Sequence, residues 1–188
     1  MSTNIPIKFL NDNNYKIFYN NTYDHVTKYS DLNEIKSYCN DNSIICVGAS
    51  QSYSNNLLLV SCGNCKSILT ETNDKTLFNN GAYWYFKNNY AFGFSPNDKI
   101  DLNYADINDC ILNKNQIYEC TQDNRLSWHL TNYHGGWRVG NKTGLNNSKD
   151  YLKYIFLKDY DKSKAESGKT TTKPTTTTTK NQLQLLQH

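Results

Sequence analysis

Nothing in this sequence is long and apolar enough to cross a bilayer. Runs of aliphatic residues stop at four, Leu57 to Val60, against the roughly twenty residues a spanning helix requires, so no membrane partner is expected. Blocks of like charge are also missing. Acids and bases are interspersed and the formal net charge is only +3, which lacks the basic footprint of a nucleic-acid-binding domain and argues against nucleic acid as a partner. The first ten residues carry Asn4, Pro6 and Lys8 and have neither the apolar stretch nor the cleavage pattern of a signal peptide. A cytoplasmic location is the resulting expectation, with an extracellular one as the alternative. Catalytic signatures are lacking too: there is no GxSxG, P-loop, HExxH or Rossmann glycine fingerprint. Asp101, Asp106, Asp109 and Asp123 do not form a DxDxDG calcium loop and read as solvated turn residues.

What the chain does have is aromatic residues, 13% of the total and fifteen of them tyrosine, beside a hydrophobic fraction of only 37%. Disordered chains are poor in aromatics, so this composition predicts a folded core despite its polarity. The 188 residues suffice for one such core. The boundary falls near residue 160. From Asp161 the sequence turns to Lys, Ser and Glu, then to Thr170-Thr171-Thr172-Lys173-Pro174 and five more threonines. Residues 161–188 have little to bury and read as a disordered, threonine-rich tail behind a single domain over residues 1–160.

Within that domain the dominant period is two. Short apolar or alternating runs stand at Ile5 to Phe9, Tyr15 to Tyr19, Ile44 to Val47, Leu57 to Ser61, Ser67 to Thr72 and Ala82 to Phe86. Further runs occur at Tyr90 to Phe94, Ile100 to Tyr104, Leu126 to Leu130, Trp137 to Val139 and Tyr154 to Leu157. Turn signals such as Asn79-Asn80-Gly81, Ser95-Pro96-Asn97-Asp98 and His134-Gly135-Gly136 separate them. One helix is predicted near residues 30–39, capped by Ser30, with Leu32 and Ile35 on one face. About ten short strands and one helix make a mainly β fold, a two-sheet β-sandwich.

Six cysteines, at 39, 46, 62, 65, 110 and 120, allow fifteen pairings in an oxidising compartment; in the cytosol they would act as small buried apolar residues, and that is the expectation here. Cys62-Gly63-Asn64-Cys65 has the spacing of a zinc half-site or a redox dithiol. Zinc would need a second half-site, and Cys110 and Cys120 stand ten positions apart. A redox motif would need a helix to start after it, whereas Lys66 to Thr72 reads as a strand. No metal and no cofactor are therefore expected. Asn20, Asn141 and Asn146 begin glycosylation sequons, which matter only in the secretory pathway.

Three stretches stand out: Trp84-Tyr85-Phe86 with Phe92-Gly93-Phe94-Ser95-Pro96, Arg125-Leu126-Ser127-Trp128-His129, and Gly135-Gly136-Trp137-Arg138-Val139-Gly140 leading to Leu145-Asn146-Asn147-Ser148. In this order, over roughly Ser30 to Phe156, they resemble a β-rich module of secreted or surface proteins of bacteria and protists that has no assigned activity. The chain departs from that pattern in lacking an export signal and in carrying Val139 where a cysteine often stands. The resemblance implies a fold and no catalytic residues.

Strand alternation places Leu126, Trp128 and Leu130 on one face of their strand and Arg125, Ser127 and His129 on the other. Gly135 and Gly136 would permit positive φ and return Trp137 beside Trp128 as a cross-strand pair. Arg125, His129, His134, Arg138 and Trp137 then form the predicted ligand-binding group, on a polar face near the Gly135-Gly136 turn. Exposed rings beside short polar side chains suit sugars, and Tyr83, Tyr85, Tyr90, Asn132 and Tyr133 are further candidates. The function expected is a non-catalytic binding module for carbohydrate or glycoconjugate. A protein-interaction domain is the alternative, and a hydrolase using a Cys/His pair the third.

Overall fold

Pro6 ends the first strand and starts a helix where the sequence suggested one uninterrupted strand. The computed structural model describes residues 1–101, 106–131 and 134–167, and it opens with β1 (Ser2–Pro6) followed by α1 (Ile7–Asp12). There follow β2 (Lys16–Thr22), α2 (Tyr29–Ser37), β3 (Ile44–Gln51), β4 (Asn56–Asn64) and α3 (Cys65–Ile68). The middle of the chain contributes β5 (Leu77–Asn79), β6 (Ala82–Lys87), β7 (Ala91–Ser95), β8 (Cys110–Leu112) and β9 (Tyr118–Cys120). The last elements are β10 (Leu126–His129), β11 (Arg138–Val139), a 3-10 turn at Leu145–Asn147, β12 (Tyr151–Lys158) and α4 (Lys162–Ser167).

The fold is mainly β. One antiparallel sheet has the order β1-β4-β3-β12-β2 and the second the order β11-β10-β7-β6-β5, with β8-β9 as a separate hairpin. Between the two five-stranded sheets lies the main core, in which Leu59, Ile45, Val47, Ile155 and Leu157 meet Trp84, Phe86, Phe92, Phe94 and Trp128. A second apolar cluster covers the outer face of the first sheet, where Leu10 of α1 packs with Leu57, Val60, Tyr154 and Phe156. The outer face of the second sheet is covered by a third, formed by Tyr85, Ala91 and Trp137 with Ile107, Tyr118 and the hairpin cysteines.

α2 stands where the sequence placed its helix, although its cap lies two residues earlier, at Lys28 instead of Ser30. The Asp31 carboxylate accepts from the Lys28 backbone N–H at 2.9 Å, so Ser30 lies inside the first turn and does not cap it. Three short helices were not anticipated. α3 replaces the strand expected over Ser67 to Thr72 because Asn64 caps it, its Oδ1 accepting from Ser67 N at 3.0 Å. α4 occupies the first residues assigned to the tail. Asp161 Oδ1 accepts from Ser163 N at 3.1 Å, and Asp161 N donates to the Tyr38 carbonyl at 2.8 Å. Residues 168–188 lie outside the described part, as do Leu102 to Tyr104 of the strand expected at Ile100 to Tyr104.

All six cysteines are paired, as Cys39–Cys65, Cys46–Cys62 and Cys110–Cys120, which corrects the reading of reduced, buried thiols. Two of the bridges follow directly from register: Cys46 faces Cys62 across β3 and β4, and Cys110 faces Cys120 across β8 and β9. Cys62 and Cys65 are spent on different partners, and α3 begins at Cys65. The motif is therefore neither a dithiol nor a zinc half-site, and the redox reading fails for a reason other than the strand that had been expected after it. Among the described residues no helix is long and apolar enough to span a membrane.

Candidate functional site

β10 carries the alternation that its sequence shows. Leu126, Trp128 and Leu130 enter the core between the sheets, while Arg125 and Ser127 are buried on the opposite face and His129 is half-buried. That opposite face is not open to solvent, because the segment between Ser95 and Arg125 folds back over it.

Arg125 and Arg138 hold that segment down, which corrects their assignment to a ligand site. Arg125 Nη1 donates to both Asp106 oxygens, at 2.8 and 3.0 Å, and to the Lys99 carbonyl at 3.0 Å. Its Nε donates to Gln122 Oε1 at 2.9 Å and its Nη2 to Asn97 Oδ1 at 2.9 Å. Arg138 donates to Asp109 Oδ1 at 3.0 Å and to the carbonyls of Gly140, Asp106, Asn108 and Gln122. Both guanidiniums are fully buried and engaged, so Asp106 and Asp109 are ion-pair partners and not solvated turn residues. Burial pushes the Asp106 carboxyl up against the pull of both guanidiniums. Asp109, less deeply buried, is held below the usual carboxylate range: burial raises it, and Arg138 with the N–H groups of Gln122 and Thr121 outweighs that.

The remaining three predicted residues do converge. His129, His134 and Trp137 line a cavity of about 300 Å³ together with Tyr90, Ile107, Tyr118, Thr131 and Asn146. The two imidazole rings stand 5.2 Å apart, centroid to centroid. An isolated antiparallel bridge between Thr131 and His134 folds the loop back, and the Leu130 N–H, donating to the Tyr90 carbonyl at 3.0 Å, fixes its start. Trp137 meets Tyr118 edge-on at 5.8 Å. Two oxygens of the wall, Thr131 Oγ1 and Asn146 Oδ1, are buried and have no hydrogen-bond partner among the described residues. Burial pulls His129 down to about 4, with His134 and Lys153 adding to the effect and the Tyr90 carbonyl opposing it. The ring is therefore neutral at physiological pH.

The glycine pair is needed for space, not for positive φ. Positive φ occurs at Gly81, Gly140 and Gly144 and at neither Gly135 nor Gly136. A Cβ on Gly136 would run into the Tyr23 ring, and one on Gly135 into the carbonyls of Tyr23 and His25. This close approach pulls the chain off the strand path before Arg138, so Trp137 turns outward to Tyr118 while Trp128 stays in the core. The expected Trp128–Trp137 pair does not form. Lys153 fastens the same region from β12: its Nζ donates to the carbonyls of His25 at 2.5 Å and Gly135 at 2.6 Å and to Thr27 Oγ1 at 2.7 Å. Burial draws this ammonium down to about 7, while three acceptors match its three N–H bonds.

Of the other aromatic candidates, Tyr85 is fully buried with its hydroxyl donating to the Leu126 carbonyl at 2.8 Å, and Tyr83 packs on Phe78. Tyr90 is 42% exposed at the cavity mouth. Asn132 and Tyr133 lie outside the described residues. Thr131, Asn146, Ile107 and Tyr118 were missed as wall residues. Asn146 had a signal in the Leu145 to Ser148 motif, whereas Tyr118 and Ile107 come from an insertion whose folding back no local pattern announces. The described residues hold no group of three or more His, Cys, Asp or Glu arranged to bind a metal, and no free thiol remains as nucleophile for a Cys/His hydrolase. No known family model, curated protein or solved structure matches the chain.

Proposed function

We propose that the chain is a non-catalytic binding module for carbohydrate, with a single sugar unit of a glycan or glycoconjugate seated in the cavity of His129, His134 and Trp137. The observation that carries this reading is a pair of buried oxygens, Thr131 Oγ1 and Asn146 Oδ1, that have no hydrogen-bond partner among the described residues, in a cavity walled by aromatic rings. Buried polar atoms in folded proteins nearly always have a partner. Sugar hydroxyls are donors that would satisfy both, while Tyr90 and Tyr118 offer ring surface to the apolar face of a pyranose. Neutral His129 can add a further acceptor. A glycan array probed with the wild-type chain and with His134→Ala is the test. Retention of a defined glycan by the wild type and its loss in the variant is the expected result; retention unchanged by the substitution, or none at all, overturns the reading.

Three disulfides support an oxidising, extracellular setting over the cytoplasmic expectation, in line with the resemblance to secreted modules. Thiol-alkylation mass shifts of the protein taken directly from its cells would decide between them. A protein partner is the second reading, favoured by Ile111, Leu112 and Ile117, which are exposed together on the β8–β9 hairpin. Ile111→Asp should abolish capture of such a partner and leave glycan retention intact.

A further inference from the structure

The two imidazoles at the cavity carry an inference that does not depend on carbohydrate. We propose that His129 and His134 bind a divalent first-row transition ion, with zinc as the reference case, and that Asn146 Oδ1 and Thr131 Oγ1 supply oxygen ligands from the same wall.

Ring spacing is the first support. With a zinc–nitrogen bond of about 2.05 Å and about 1.15 Å from nitrogen to ring centre, each centroid lies about 3.2 Å from a shared ion. At a tetrahedral angle the two centroids are then about 5.2 Å apart, and the observed separation is 5.2 Å. Second, two oxygens stand ready beside the rings: both are buried, both belong to residues lining this cavity, and neither has a hydrogen-bond partner among the described residues. The Tyr90 carbonyl, which acts on the His129 ring, is the kind of partner that fixes the orientation and tautomer of a metal-binding histidine.

The donor set defines the ion class. Imidazole nitrogens suit zinc, copper and nickel, whereas calcium and magnesium prefer carboxylate oxygens, and none of the described residues lining the cavity is a carboxylate.

The test is isothermal titration of the full-length chain with Zn²⁺ alone, so that its outcome is separate from any glycan result. One Zn²⁺ per chain is expected. His134→Ala, at an exposed position whose loss leaves the core intact, should weaken binding by roughly tenfold or more. His25→Ala, also exposed but not at the cavity, should leave it unchanged. Asn146→Asp, which adds a charge to one oxygen ligand, should tighten it, a result that a merely structural asparagine would not give. Absence of binding at submillimolar Zn²⁺, equal binding by wild type and His134→Ala, or no tightening in Asn146→Asp each overturns the proposal.

Discussion

Replacing Arg125 by methionine keeps the length and apolar stem of the side chain and deletes the guanidinium. In the folded protein that group is fully buried and supplies both oxygens of Asp106, together with Asn97, Lys99 and Gln122, with their donors. Without it Asp106, itself buried, is left as a carboxylate beside three other acceptors that have lost a donor. Breaking a buried pair from one side typically costs about 3–5 kcal/mol. With a urea dependence of about 2 kcal/mol per molar for a domain of this size, the unfolding midpoint should fall by roughly 2 M. Arg125→Met with Asp106→Leu removes the stranded charge as well and should recover much of the loss. The assay is urea unfolding followed by tryptophan fluorescence. A midpoint shift below about 0.5 M for the single variant would refute the view that Arg125 is structural and return it to the solvent-facing ligand role its sequence suggested.

Three further outcomes follow from the same structure. His129 is neutral down to about pH 4 when folded against an ordinary value of 6.5, so the unfolded chain binds the extra proton; its contribution is complete above 6.5 and lost as pH falls through 4. After allowance for its partial exposure this amounts to about 2 kcal/mol, measurable by urea titration across that range and absent in His129→Asn. Among the bridges, Cys39–Cys65 spans 26 positions and Cys110–Cys120 spans 10; the chain-entropy model gives about 3.5 and about 2.7 kcal/mol, so paired Cys→Ala variants should rank in that order by melting temperature. Gly136→Ala forces a methyl into the Tyr23 ring and should cost about 1–3 kcal/mol in thermal or urea unfolding.

Features set by neighbouring residues were legible in the sequence, and features set by distant ones were not. The faces of Leu126 to Leu130 follow from alternation, and α2 follows from apolar spacing. Ile5 to Phe9 misleads because its alternation continues across Pro6, where the chain changes from strand to helix; at Ser67 to Thr72 the short apolar run resembles a strand, while the cap at Asn64 starts a helix. For the candidate site, His129, His134 and Trp137 line one cavity, as expected from their nearness in sequence. Arg125 and Arg138 were misplaced because their partners, Asp106 and Asp109, lie 16 to 32 positions away in an insertion that turns back on the sheet. Register decided the cysteines: a one-residue slip of β3 against β4 would separate Cys46 from Cys62.

β12 is the last strand in sequence and the second from the edge in its sheet, hydrogen-bonded to β3 on one side and β2 on the other. During synthesis both of those strands leave the ribosome with the edges that β12 will cover still open, and they stay open until residues near 158 emerge. The first sheet cannot close before then; its halves must wait for the last strand, and with it for the Lys153 ammonium that joins the 23–27 and 135 loops. Such dependence on late, long-range pairing slows folding and prolongs the exposure of unpaired edges. A nascent chain stalled before Tyr151 is accordingly the species from which aggregation should start, and chaperone contacts during synthesis should concentrate on β2 and β3.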